Sequence, residues 1–372
     1  MLDVDDPDEK GRYDVITEAM DTIEQEWHWQ WLFGHLHGAI EVDNTGDGTI
    51  DAIKEVEKLV AEAPCRPRVE RPFASRQLVF LHLFSGPRRP GDLQEAIELF
   101  ANERNLSIRA LSVDVVISLE YGDILKQDTQ KTFIDALVQG WICGMAAGPP
   151  CETWSRAREH QLTTGDGPRP VRSAEQPEGL SQLSLREIRQ VLFGSQLLAV
   201  AAVLLTLCWI HGICGVLEHP AEPPRAASPS IWKLAIFRYL AKQNQVKKLT
   251  IMQGYYGAAS AKPTTLMFTH PPDGLERLFQ DSRTQETLPL KASIGRQSDG
   301  SFATAGLKTY PSGLCSAIAL AWGHSFLKRT PIDIDMKPPA VYEKVFESLH
   351  SHISTEAMEG ADFCIDAQYQ PV

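Results

Sequence analysis

The chain has 372 residues, 43% of them apolar and 23% charged, an ordinary globular balance that excludes a wholly disordered chain, a collagen-like repeat and a coiled-coil rod. Its length suits one large α/β domain with appendages, or two modest domains. With 36 basic against 48 acidic residues the formal charge is −12. That argues against a protein that coats nucleic acid non-specifically, while leaving room for a local basic cleft on an acidic body.

Taken in chain order, residues 1–75 differ from the rest of the chain. Acidic residues crowd the start, from Asp3 to Glu24. The segment EQEWHWQWLFGHLHGAI (24–40) has helical character, with Trp27, Trp29 and Trp31 close together. DNTGDGTID (43–51) is a polar turn, and Ile50 to Ala63 a second helix. Counted from Asp43, the turn places Asp47, Gly48, Ile50 and Asp51 as a calcium-binding EF-hand loop does. Its twelfth position, however, is Lys54, which repels a cation, so a simple turn is the better reading. PCRPRVERPFASR (64–76) is rich in Pro and Arg and reads as a linker. The organisation expected is an acidic helical extension over 1–75, a main domain over 76–329 and a tail over 330–372 with one helix near Val341 to Ile353.

From Gln77 onward strands and helices alternate. LVFLHLF (78–84), LSIRALSVDV (106–115), WICGMAAG (141–148), GICGVLE (212–218), KKLTIMQ (247–253) and TTLMF (264–268) read as strands. LQEAIELFANE, with Asp92 as its cap, Thr129–Gln139, Ser184–Trp209, Ser230–Lys242 and Ser312–Lys328 read as helices. Repeated βα units imply an α/β fold, a mostly parallel sheet with helices on both faces. Ligands of such sheets sit at the carboxyl ends of the strands. The longest apolar run, Leu197 to Ile210, is about 14 residues, short of the roughly 20 a membrane span needs, so it predicts a buried core helix. Seven cysteines without a CxxC pair, and an acidic start without a basic-then-apolar leader, point to a reduced, intracellular protein.

The sharpest group is AAGPPCETWSRAR (146–158). Two prolines stiffen the chain before Cys151, so its thiol is aimed. Arg156, Arg158, Arg169 and Arg172 come after it, and nearby cations favour thiolate, the reactive form. A lone cysteine is more often a small buried residue, but this context favours the functional reading. His82, within an apolar strand, reads as a core histidine. Arg88 and Arg89 read as solvated.

GPPCETWS resembles the Pro-Cys loop of the S-adenosylmethionine-dependent cytosine carbon-5 methyltransferases, Gly-Pro-Pro-Cys-Gln-x-Phe/Trp-Ser. Other segments over about 77–328 fall in that family's order. LHLFSG (81–86) resembles its first motif, and GDIL (122–125) its third. GVLEHP (215–220) resembles its Glu-Asn-Val strand end. QGYYGAASAKPTTLMF (253–268) resembles its Tyr-Gly segment, and TAGLKTYPSGLCSAIALAW (304–322) its final motif and helix.

The resemblance implies a Rossmann-like class I methyltransferase fold and the cofactor S-adenosylmethionine. Cys151 would be the nucleophile that adds to carbon 6 of cytosine, making carbon 5 reactive. Glu218 would protonate or hydrogen-bond the ring nitrogen. Phe84, Ser85, Gly86, Asp114, Asp123 and Pro149 would meet the cofactor. Ser155, Arg156, Arg158 and Lys262 would meet a flipped-out base and its phosphates. No metal is implied. The partner would be nucleic acid, DNA ahead of RNA, with no membrane. The acidic extension would offer a surface for a protein partner, and the setting would be nuclear or cytoplasmic.

The chain also departs from the family. Pro87-Arg88-Arg89-Pro90 stands where further glycines are usual, His219 replaces the Asn, and Lys262 is the charge left where the family carries Arg-x-Arg. The segment from Thr269 to Thr304, where the family reads bases, is short. These departures keep a second reading open, a catalytically inactive relative that binds or scaffolds. A thiol enzyme of another kind is a third.

Overall fold

A computed structural model of the chain describes residues 78–160, 168–288 and 308–328. The expected acidic extension, the polar turn at 43–51, the linker and the tail with its helix therefore lie outside the described residues.

Six strands form one sheet: β1 (Leu78–Leu83), β2 (Ile108–Val113), β3 (Ile142–Ala147), β4 (Cys214–Pro220), β5 (Val246–Met252) and β6 (Pro263–Thr269), in the order β2-β1-β3-β4-β6-β5. The helices are α1 (Leu93–Asn102), α2 (Gln127–Val138), α3 (Leu185–Ile210), α4 (Ala235–Leu240), α5 (Leu275–Asp281) and α6 (Ser312–Leu327).

β1 is buried at all six positions because helices cover both faces. Its side chains divide with the strand period of two. Val79, Leu81 and Leu83 join a core with Phe133 of α2, Leu204 of α3 and Phe237 of α4. Leu78 and Phe80 join a second core with Ile97 of α1, Phe279 of α5 and Trp322 of α6. Each such Leu or Phe contributes about 1.5–3 kcal/mol by leaving water.

Local signals start the helices. The Asp92 carboxylate accepts the Glu95 amide at 2.9 Å, as expected of its cap position. Ser184 and Glu187 form a reciprocal capping box at the start of α3. The apolar second half of α3 is buried against the sheet, α2 and α4, which is the core placement its sequence predicts. By length and composition alone this helix could span a bilayer.

The sheet is not wholly parallel. β2, β1, β3 and β4 run parallel, but β6 is antiparallel to both β4 and β5. Residues 253–262 join β5 to β6, and a parallel crossover needs about a dozen residues or more, so the chain folds straight back. β5, at the edge, exposes Lys247 and Lys248, charges that discourage pairing with another sheet.

Two helix expectations also change. The helix expected over 230–242 is a 3-10 turn, Ile231–Lys233, and then α4, separated by the extended Leu234. The Trp232 indole donates to the Pro220 carbonyl at 2.7 Å and holds that turn against the end of β4. α5 has no counterpart among the expected helices.

β1 lies between β2 and β3, so the chain leaves β1 to one side and returns on the other. Such a switch point opens a crevice at the carboxyl ends of the strands.

Candidate active site

Three strand ends meet at that crevice. At the end of β3, the Gly148 amide reaches the Leu83 carbonyl at 3.5 Å, beside the end of β1. Pro149 and Pro150 then lead to Cys151, whose carbonyl accepts the Trp154 amide at 2.9 Å. Arg172 fixes this loop from below. Its guanidinium lies 4.2 Å from the Trp154 ring centre, and it donates to Thr153 Oγ1 at 3.1 Å, the Val191 carbonyl at 2.7 Å, Ser195 Oγ at 3.0 Å and the Pro177 carbonyl. Burial pushes Arg172 down to about 9. No carboxylate is among these partners, so neutral acceptors satisfy its donors.

Glu218 sits on β4, beside β3, and is 7% exposed. Its Oε1 accepts from Gln253 Nε2 at 3.1 Å and faces Lys262 Nζ at 3.7 Å. Tyr310 stands beside the same carboxylate, and burial together with the Glu218 charge pushes its phenol well up. Gly148 leaves the room for this meeting. A Cβ there would lie 2.4 Å from Tyr310 Oη and 3.4 Å from Glu218 Oε2.

Cys151 and Glu218 thus share one neighbourhood. Burial pushes the Cys151 thiol up to about 12, with the charges of Glu152 and Glu218 adding and Lys262 opposing. This corrects the expectation that flanking arginines favour the thiolate. Arg156 is exposed, 4.0 Å from Glu159. Arg169 is paired with Glu187 at 2.7 Å. Arg158 is buried and donates to the Glu152 carbonyl at 2.7 Å, the Arg169 carbonyl at 3.0 Å and Gln190 Oε1 at 3.0 Å. The phosphate-facing role expected of Arg158 is therefore not its placement here, since its guanidinium is buried and each of its nitrogens donates inside the fold.

The β1–β2 side is built mainly by backbone. Phe84 and Gly86 have positive φ, 58° and 67°, a conformation unusual for Phe. Asp114, just past β2, accepts the Gly86 amide on Oδ2 at 2.9 Å and the Val116 amide on Oδ1 at 3.1 Å. Burial raises its carboxyl, and these hydrogen bonds oppose the rise. Ser85 Oγ donates to the Gly86 carbonyl at 3.1 Å. Asp123 lies beyond, its Oδ1 accepting the Leu125 amide at 3.0 Å. Pro149 is buried, and half-buried Ser155 accepts the Ala157 amide at 3.2 Å.

Arg88 and Arg89 are not simply solvated. Arg88 Nε pairs with Asp92 at 2.5 Å, and Arg89 donates to the Tyr310 carbonyl. His82 is the buried strand residue its setting predicts. Burial pushes it down to about 4, its ring stacks on Tyr310 at 6.0 Å, and its Nδ1 has no hydrogen-bond partner. His219, beside Glu218, is also buried and pushed down to about 3, packed edge-on against Trp154 and Trp232.

Sequence reasoning assigned no role to Tyr310 or Gln253. Gln253 carried no signal beyond its place at a strand end. Tyr310 carried one, since the next residue, Pro311, which caps α6, disfavours helical backbone at Tyr310. Among the described residues no three His, Cys, Asp or Glu side chains are grouped to hold a metal ion.

The arrangement offers a soft nucleophile held as a thiol and a carboxylate within a shared field of Lys262 and Tyr310. That suits an addition in which a proton moves as the sulfur bonds. No protein-family model and no curated protein matches the chain.

Proposed function

We propose that the chain is a cytosine carbon-5 methyltransferase-like protein acting on nucleic acid through a covalent Cys151 intermediate. The observation that carries this reading is the convergence of Cys151 and Glu218, from neighbouring strand ends, beside the Phe84–Gly86 turn at the switch point.

The chemistry uses the site's own groups. The Cys151 proton leaves as sulfur bonds to carbon 6, and the Glu218 carboxylate is the nearby acceptor. The carbon 5–carbon 6 electron pair shifts through the ring to its nitrogen, which takes the proton from Glu218. Carbon 5 is then enamine-like and nucleophilic. A base reaches such a recessed thiol only by leaving the stack, at a cost of a few kcal/mol. Half-buried Ser155, exposed Arg156 and Lys262 remain for substrate contacts.

The β1–β2 end supports a Rossmann-like cofactor site. A Cβ on Gly86 would meet nothing within 4 Å, so there is open space at the turn, and the Asp114 carboxylate stands beside it. Phe84, Ser85, Asp123 and Pro149 would complete the wall. S-adenosylmethionine, when bound, supplies the electrophilic methyl group.

DNA is favoured over RNA by the family resemblance. None of the five described cysteines is in a disulfide, which suits a nuclear or cytoplasmic setting. The acidic 1–75 segment is the candidate surface for a protein partner.

An inactive relative that binds without catalysis is the second reading. It is favoured by the thiol held near 12 and by Glu218 already engaged by Gln253, Lys262 and Tyr310. Labelled methyl transfer to cytosine-containing DNA and RNA separates the two, together with trapping on 5-fluorocytosine DNA. We expect transfer by wild type and its loss, about 10³-fold or more, in Cys151→Ser. Equal background transfer by both, with S-adenosylmethionine still bound in calorimetry, would establish the inactive reading instead.

A further inference from the structure

Tyr310 joins the two sides of the crevice. It precedes α6, and the following Pro311 disfavours helical backbone at its position. Its ring packs on His82 of β1, its carbonyl accepts from Arg89 in the loop after β1, and its hydroxyl faces the Glu218 carboxylate of β4 across Gly148. Gly148 of the neighbouring β3 end gives that hydroxyl its space. Separate segments of the chain therefore fix one phenol, and that phenol stands beside one carboxylate.

From this geometry we propose that Tyr310, clamped by Arg89, is a positioning residue that holds the Glu218 carboxylate against Cys151. The proposal rests on the reading of Cys151 and Glu218 as one reacting pair. It gives the Pro87–Pro90 segment, where the related family has glycines, a definite task. Arg89 replaces backbone closeness with a side-chain clamp, and that clamp links the cofactor-side loop to the carboxylate. Arg88 is committed differently, to Asp92, so the two adjacent arginines are not equivalent.

The groups facing the Cys151 thiol are Glu152 on its own loop, Glu218 on β4, Lys262 ahead of β6 and Tyr310 ahead of α6. Removing the Glu218 charge therefore raises the thiolate fraction, provided the carboxylate is held nearby. The test is the initial rate of Cys151 alkylation by iodoacetamide on the full chain, with peptide mass mapping to separate it from the other cysteines. At about pH 9, below the thiol's folded value, the rate tracks the thiolate fraction, and lowering the thiol pKa by one raises it about tenfold.

Glu218→Gln is expected to speed alkylation several-fold in wild type. In the Tyr310→Phe background the same change is expected to have at most half that effect on a logarithmic scale, because the carboxylate is no longer held in place. Arg89→Ala is expected to reduce the coupling likewise, and Arg89→Lys to restore part of it. An undiminished Glu218→Gln effect in the Tyr310→Phe protein would overturn the positioning role while leaving the reacting pair standing. No effect of Glu218→Gln in wild type would remove the pair itself, and the proposal with it. Circular dichroism and urea midpoints identify any variant that fails to fold. Tyr310→Trp, which keeps a bulky ring but offers a differently placed donor, is then the substitute and is expected to weaken the coupling in the same way.

Discussion

The two sides of the crevice are built by different means. On the β1–β2 side, the Val113 carbonyl accepts the Phe84 amide at 2.9 Å and the Ser85 amide at 3.4 Å, and the Asp114 carboxylate next in the chain accepts the Gly86 amide. On the β3–β4 side, Cys151 and Glu218 are governed by side chains from scattered places, with Arg172 beneath the loop and Gln253, Lys262 and Tyr310 around the carboxylate. Backbone-built geometry survives most substitutions because every residue carries the same amide. A side-chain network fails when one member is lost, since the remaining buried groups are left unpaired. The β1–β2 side should therefore be robust and the β3–β4 side fragile.

The largest expected break comes from Arg172→Ala. It leaves the Trp154 face and several buried acceptors without a partner, and should cost about 3–5 kcal/mol, as for removal of a buried charged hydrogen-bonding group. A urea unfolding curve reads this. A midpoint near that of wild type would mean the loop does not depend on Arg172.

Gly148→Ala sharpens the contrast. The added methyl overlaps the Tyr310 hydroxyl, so methyl transfer should fall about 100-fold, the scale of a displaced acid–base group. Cofactor affinity on the other side should change little. An equal loss in both, measured by calorimetry and single-turnover transfer, would show that the two sides are not separable.

The last expectation concerns pH. His82 and His219 are pushed down to about 4 and about 3 from 6.5, chiefly by burial. The unfolded chain therefore binds more protons than the folded one below about pH 6.5, and stability falls with acidity until pH passes the folded values. The limiting slope is about 1.4 kcal/mol per pH unit for each histidine. Glu187 acts lower. Its hydrogen bond and ion pair with Arg169 hold it down at about 2, so its contribution is complete above 4.5 and fades as pH falls toward 2. Chemical denaturation from pH 7 to pH 4 checks the histidine slope, and His219→Gln should reduce it.

Local signals carried much of the fold. The six strands among the described residues were legible as short runs between turns, five of them apolar, and the Asp92 cap and the Ser184 start of α3 were readable because a cap and its amide are three residues apart. Cys151 stood out because two prolines aim it. The direction of β6, the inward turn of Arg158 and Arg172, and the part played by Tyr310 were not legible. An apolar run is the same in either direction, and Arg is written identically whether it meets phosphate or a buried carbonyl.

What the sequence determined by itself is the set of strands, their order along the chain and the chemical types at their ends, since period, capping and proline stiffness act over a few residues. What only the tertiary structure decided is which of those ends share a crevice and in what charge state they rest. Cys151 is pushed up to about 12 by burial and by carboxylates that include one from another strand. Both depend on contacts between distant segments, and desolvation and charge act through space, without regard to position along the chain.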